Sequence, residues 1–171
     1  MESKTRFLGH PIHTMLIVFP LGLLATAAVF DIVGLVGRGP EWFRISFWMI
    51  AAGIIGGLLA AVFGLADWLA IPSGTRAQRI GLWHGAGNVA VVLLFVGSWF
   101  LRRSMPENPP TSAFVLSFVA VALALVAGWL GGELVVRLGV GVDKDAHVDA
   151  PSSLSGRPAN EPAAHGPRLA A

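Results

Sequence analysis

The chain has 171 residues, of which 54% are hydrophobic and only 13% charged. A water-soluble domain carries about 45–50% apolar and about 25% charged residues, so a soluble enzyme is excluded for want of polar surface and a disordered chain for excess of apolar surface. Without cysteine there are no disulfides and no thiolate chemistry, and 12 basic residues scattered at a net charge of +2 form no stripe for nucleic acid.

In chain order, residues 1–11 form an N-terminal segment carrying Lys4 and Arg6. The first long apolar segment follows at 12–36. It is too long for the apolar region of a signal peptide and lacks a small-x-small cleavage site, so it is expected to be retained. Further apolar segments run 45–71, 80–101 and 112–136. Each reaches the roughly 20 residues that a helix needs to cross hydrocarbon about 30 Å thick. In lipid every backbone amide must be paired within its own segment, which makes these runs helices rather than strands.

The connectors are short and contain Gly or Pro: 37–41, 72–75 and 102–110. Short connections make neighbouring helices antiparallel. The expected fold is all-α, an integral membrane up-down-up-down four-helix bundle over residues 12–142. No solenoid repeat is present. Glycines four apart (Gly53/Gly57, Gly81/Gly85 and Gly128/Gly132) offer faces for close helix approach, and most of the six Trp lie near span ends, where interfacial anchoring accounts for them. The tail, 143–171, is rich in Ala, Pro, Ser, Gly and Asp and reads as disordered, with His147 and His165 as solvated bystanders.

The N-terminus, the second connector and the start of the tail share one side, with six basic residues: Lys4, Arg6, Arg76, Arg79, Arg137 and Lys144. The other side has four: Arg38, Arg44, Arg102 and Arg103. Positive residues stay inside, which expects both termini in the cytoplasm.

Antiparallel threading gathers polar residues at that same end. His10 and His13 open the first span, Asp67 closes the second, His84 and Asn88 open the third, and Glu133 and Arg137 close the fourth. Pro11 marks the helix start, so His13 is helical. His84 and Asn88, four apart, share a face, as do Glu133 and Arg137, a candidate ion pair. Ionisable residues at membrane depth are functional candidates. The competing reading is a structural cluster, with Asp67 bonded to a histidine, Glu133 to Arg137 and Asn88 capping a connector. Asp31, near the opposite end, reads as structural, paired with Arg38 or Arg44.

Two chemistries suit such a layer. One is b-type haem, held by His10 or His13 and by His84, with Asp67, Asn88, Glu133 and Arg137 behind the ligands. The other is a bare transition metal held by His10, His13, His84 and a carboxylate from Asp67 or Glu133. A proton or ion path, or a non-catalytic polar layer that only holds the helices together, is the rival from a different class. No serine sits in a nucleophile elbow, which leaves a Ser-His-Asp hydrolase without a nucleophile.

The stretches Gly9-His10-Pro11-Ile12-His13, Phe19-Pro20, Asp31 and Gly64-Leu65-Ala66-Asp67-Trp68, with His84, Asn88 and the run from Gly131 to Val142, resemble the bacterial membrane proteins called domain of unknown function 2231. The resemblance covers about residues 8–142. It implies a four-span protein of the bacterial cytoplasmic membrane. Because relatives are fused to Rieske or c-type cytochrome domains, it also implies a redox setting with a partner protein. This chain has no Cys-x-x-Cys-His and no Rieske ligands, and it departs from the family pattern at Thr14, where a second Pro is common.

Overall fold

The structure, a computed structural model, describes residues 1–162. Four helices long and apolar enough to cross a bilayer run Ile12–Gly37, Glu41–Leu69, Arg76–Arg102 and Thr111–Arg137; they are called the first to fourth spans below. Short connections at 38–40, 70–75 and 103–110 make consecutive spans antiparallel, as expected. Only 17–28% of the most apolar stretch of each span is buried, while Leu21, Val62, Leu93 and Leu125 face outwards. Such a surface suits hydrocarbon and not water.

Local chemistry sets the helix ends. The third span starts at Arg76 and not near residue 80, because the Thr75 hydroxyl accepts a bond from the Gln78 N–H at 3.1 Å and caps the first turn. The second starts at Glu41 rather than 45, directly after Pro40, with an acidic residue facing the positive end of the helix dipole. In the first span Pro20 has no N–H to offer the Leu16 carbonyl, and the regular helix divides at Ile17 into Ile12–Leu16 and Val18–Val33. This span ends in a π-helical turn, Gly34–Arg38, where Gly37 takes φ +83, a left-handed conformation that costs glycine little.

Sequence reasoning put Arg102 in the third connector. The structure corrects this: Arg102 is the last residue of the third span and is fully buried.

All four spans meet in an apolar centre made by Leu24, Ala27, Ile50, Val91, Phe95 and Ala120. Close approach relies on Gly53, where a Cβ would lie 2.6 Å from Leu24 Cδ2, and on Gly57 beside Val92. The pair Gly128/Gly132 faces open space instead, and Gly131 between them makes the tight contact.

Outside the membrane, Arg6–Phe7 pairs with His10–Pro11 in a small antiparallel ladder. The Met1 amine donates to the Gly139 carbonyl at 2.6 Å, and the Gly141 N–H donates to the Met1 carbonyl at 2.7 Å, which ties the N-terminal segment to the end of the fourth span. Ser153, in a 3-10 turn at Ser153–Ser155, donates to the Leu8 carbonyl at 3.1 Å. His147 is exposed and accepts from the Asp149 N–H. His165 lies outside the described residues.

Candidate functional site

Two histidines are held by one device used twice. His13, in the first turns of the first span, places Nδ1 2.9 Å from the Ala60 carbonyl of the second span. His84, near the start of the third, places Nδ1 2.8 Å from the Ala127 carbonyl of the fourth. Each carbonyl lies one turn before a glycine on which the ring rests: a Cβ at Gly64 would be 2.7 Å from His13 Cε1, and one at Gly131 would be 2.9 Å from His84 Cε1.

A carbonyl only accepts, so Nδ1 carries the proton in both rings and Nε2 of the neutral imidazole keeps its lone pair. The Asn88 amide lies 3.3 Å from His84 Nε2 and donates to the His84 carbonyl at 2.8 Å. Asn88 thus serves the imidazole and does not cap a connector.

The rest of the expected layer is engaged elsewhere. Asp67 is not bonded to a histidine: its Oδ1 accepts from the Ser3 hydroxyl at 2.7 Å and from Thr5 at 3.2 Å, fastening the N-terminal segment over the bundle. Glu133 pairs with Arg76 at 2.6 Å and not with Arg137, which is exposed. His10 is exposed on the small ladder, beside the Ser153 hydroxyl at 3.4 Å. Of the gathered residues, then, His84 and Asn88 are in contact and His13 occupies a matching seat on the second span, while His10, Asp67 and Glu133 have other partners.

At the opposite end lies a centre that sequence reasoning missed. Asp31 does not pair with Arg44, which reaches Glu107 at 2.8 Å. Instead Arg102 approaches Asp31 with both terminal nitrogens, each at 2.7 Å, and both side chains have 0% exposure. Arg102 Nε donates to the Ser98 hydroxyl at 3.1 Å and Nη2 to Ser117 at 3.2 Å, with Ser46 beside Nη1 and the Phe114 ring 5.0 Å away. Bidentate pairing with every donor served is what allows two charges to leave solvent. The available signal was Ser98 four residues before Arg102, a polar stripe entering an apolar helix.

Chemically, a histidine fixed through Nδ1–H to a carbonyl and presenting Nε2 has the arrangement of a metal ligand. His13 and His84 would be the residues to hold a metal-centred cofactor, each through an imidazole nitrogen. A bare ion wants three or four protein ligands, and among the described residues no three His, Asp or Glu side chains form a group able to hold one. His10, His13, His84 and Asp67 therefore do not assemble the alternative metal site.

Fold and centres together define a small integral membrane protein of four antiparallel helices, with an imidazole pair towards one end and a buried ion pair towards the other. Residues 9–144 match the family described as "Predicted membrane protein (DUF2231)", and the chain belongs to that family. Comparisons with curated proteins and with solved structures gave no match.

Proposed function

We propose that this protein is a haem-associated, redox-linked component of the bacterial cytoplasmic membrane, with His13 and His84 as iron ligands. One observation carries the reading: both imidazoles are fixed through Nδ1 to a backbone carbonyl of the next span, at 2.9 and 2.8 Å, which leaves the lone pair on Nε2 of each; at His84 a bound metal would displace the Asn88 amide, 3.3 Å from that nitrogen. When bound, haem supplies one-electron chemistry. The chain's own groups hold the ligands: the Ala60 and Ala127 carbonyls set the tautomer, Gly64 and Gly131 leave room for the rings, and Asn88 steadies His84. Electrons would come from and pass to a partner protein.

Burial of Arg102 supports the cytoplasmic placement of both ends. With Arg102 withdrawn, the basic residues stand six against three in favour of the side that carries the N-terminal segment.

A second reading has its own support. Asp67 bonded to Ser3 and Thr5, and Glu133 paired with Arg76, are fastenings, as in a non-catalytic scaffold. One experiment separates the two. Protein purified from haem-replete cells is expected to show a Soret band that weakens when His84 is replaced by Ala. A colourless preparation, in which His84→Ala lowers thermal stability and changes nothing else, overturns the haem reading in favour of the scaffold.

A further inference from the structure

The two histidine seats are alike in more than their bonds. His13 and His84 differ in number by 71, and so do Asp31 and Arg102. Two core residues lie between them at the same spacing: Leu24 matches Phe95, and Ala27 matches Ser98, all buried. Along the second and fourth spans the difference is 67: Ala60 matches Ala127 and Gly64 matches Gly131. Leaving aside Leu134, whose counterpart Asp67 is only half-buried, the buried residues of the fourth span are Ala113, Phe114, Ser117, Ala120 and Ala127. Each has a buried counterpart in the second, namely Ser46, Phe47, Ile50, Gly53 and Ala60. The change from 71 to 67 falls in the turns, where the first pair of spans carries four more residues, around the π-helical turn.

Equivalent positions touch each other only next to an axis of symmetry, as residues do at the centre of an isologous interface. Asp31 bonds to its own counterpart, Arg102, at one end. Leu24 and Phe95 share the central cluster. His13 and His84, at the other end, keep the same offset and the same bond to a carbonyl of the following span. The first two pairs mark a line from the ion pair to the centre of the bundle. We infer that spans one–two and three–four are two copies of one helical hairpin facing each other across a pseudo-two-fold axis, so that His13 and His84 are two copies of a single imidazole seat.

The ion pair fits this account. Identical residues at positions 31 and 102 would bury two like charges at the axis, at prohibitive cost, whereas Asp against Arg closes the pair. It is the place where two similar halves must differ. At the other end no such conflict arises, and the seat is kept in both halves. Resting on the haem reading above, the ligand class is a planar metal-centred ring with an imidazole on each face, since such a ring is itself two-sided.

The inference is tested on the full chain in detergent micelles, labelled with 15N-histidine. His13 and His84, assigned by the single variants His13→Gln and His84→Gln, are expected to give matching Nδ1–H tautomer shifts. Opposite tautomers, or one ring averaging between both, overturn the equivalence. Haemin is then titrated into the unlabelled protein. One six-coordinate, low-spin haem per chain is expected, converted equally to the high-spin form by either glutamine variant. Should haemin bind but respond to only one variant, the shared seat is overturned. Should the tautomers match and haemin not bind, the haem reading fails while the repeated hairpin stands.

Discussion

Arg102 and Asp31, 71 residues apart, meet through two parallel 2.7 Å hydrogen bonds in a site from which solvent is wholly excluded. Removing one partner strands the other charge among apolar helices, at a cost of about 3–5 kcal/mol. Asp31→Asn and Arg102→Leu are therefore each expected to lower the thermal midpoint in detergent sharply. The double variant Asp31→Leu/Arg102→Leu is expected to recover most of that loss, because Ser98 and Ser117 keep their mutual bond at 2.9 Å and Ser98 its bond to the Ala113 carbonyl at 2.8 Å. A double variant no better than the worse single one would show that the pair contributes more than charge cancellation.

Gly131 has no room for a side chain under the His84 ring. Gly131→Ala should destabilise by about 1–3 kcal/mol, the usual cost of overpacking. Adding His84→Ala removes the obstacle, so the double variant is expected to melt above Gly131→Ala alone. Gly128→Ala, in open space, is the control and should leave the midpoint within about 0.5 kcal/mol of the parent.

The N-terminal segment hangs on Asp67. Asp67→Ala removes the acceptor for Ser3 and Thr5 and is expected to free residues 1–11 for trypsin cleavage after Lys4 and Arg6. Limited proteolysis followed by mass spectrometry checks this: the parent should resist at those sites for longer than the variant.

Glu133, by contrast, pairs with a half-exposed Arg76, and exposed pairs contribute about 0–1 kcal/mol. Glu133→Gln is expected to shift the midpoint little and to leave any haem spectrum unaltered. A spectral change would place the carboxylate at the imidazoles after all.

The lack of native cysteine makes topology directly measurable. A cysteine at Ser104, exposed in the third connection, should react in intact cells with a membrane-impermeant maleimide. One at Ser152, exposed beyond the fourth span, should react only after lysis. The reverse pattern would overturn the proposed orientation.

What the amino-acid sequence reveals follows from which forces act locally. Spans were legible because crossing a bilayer is a matter of length and apolarity, and antiparallel threading by itself puts His13 and His84 towards one end of the bundle. Helix starts at Glu41 and Arg76 were missed because a cap such as Thr75 adds a turn that apolar periodicity does not register. Arg102 was misplaced for a different reason. An arginine at a span end ordinarily belongs to the interface, and only Asp31 on another helix, supported by serines from three spans, draws it inside. Asp67 and Glu133 sat at the expected depth, but depth does not select a partner. Ser3 and Thr5, tethered beside Asp67 by the N-terminal ladder, and Arg76 on the neighbouring span hold the nearer claims.

Between the imidazoles and the ion pair lie 18 residues of helix, about 27 Å at 1.5 Å per residue, and the middle of that distance is closed by Leu24, Ile50, Val91 and Phe95. An apolar layer of this kind offers hydrated ions no foothold and no partners for a chain of water along which protons could hop, so the protein is expected to leave the voltage of an energised membrane intact.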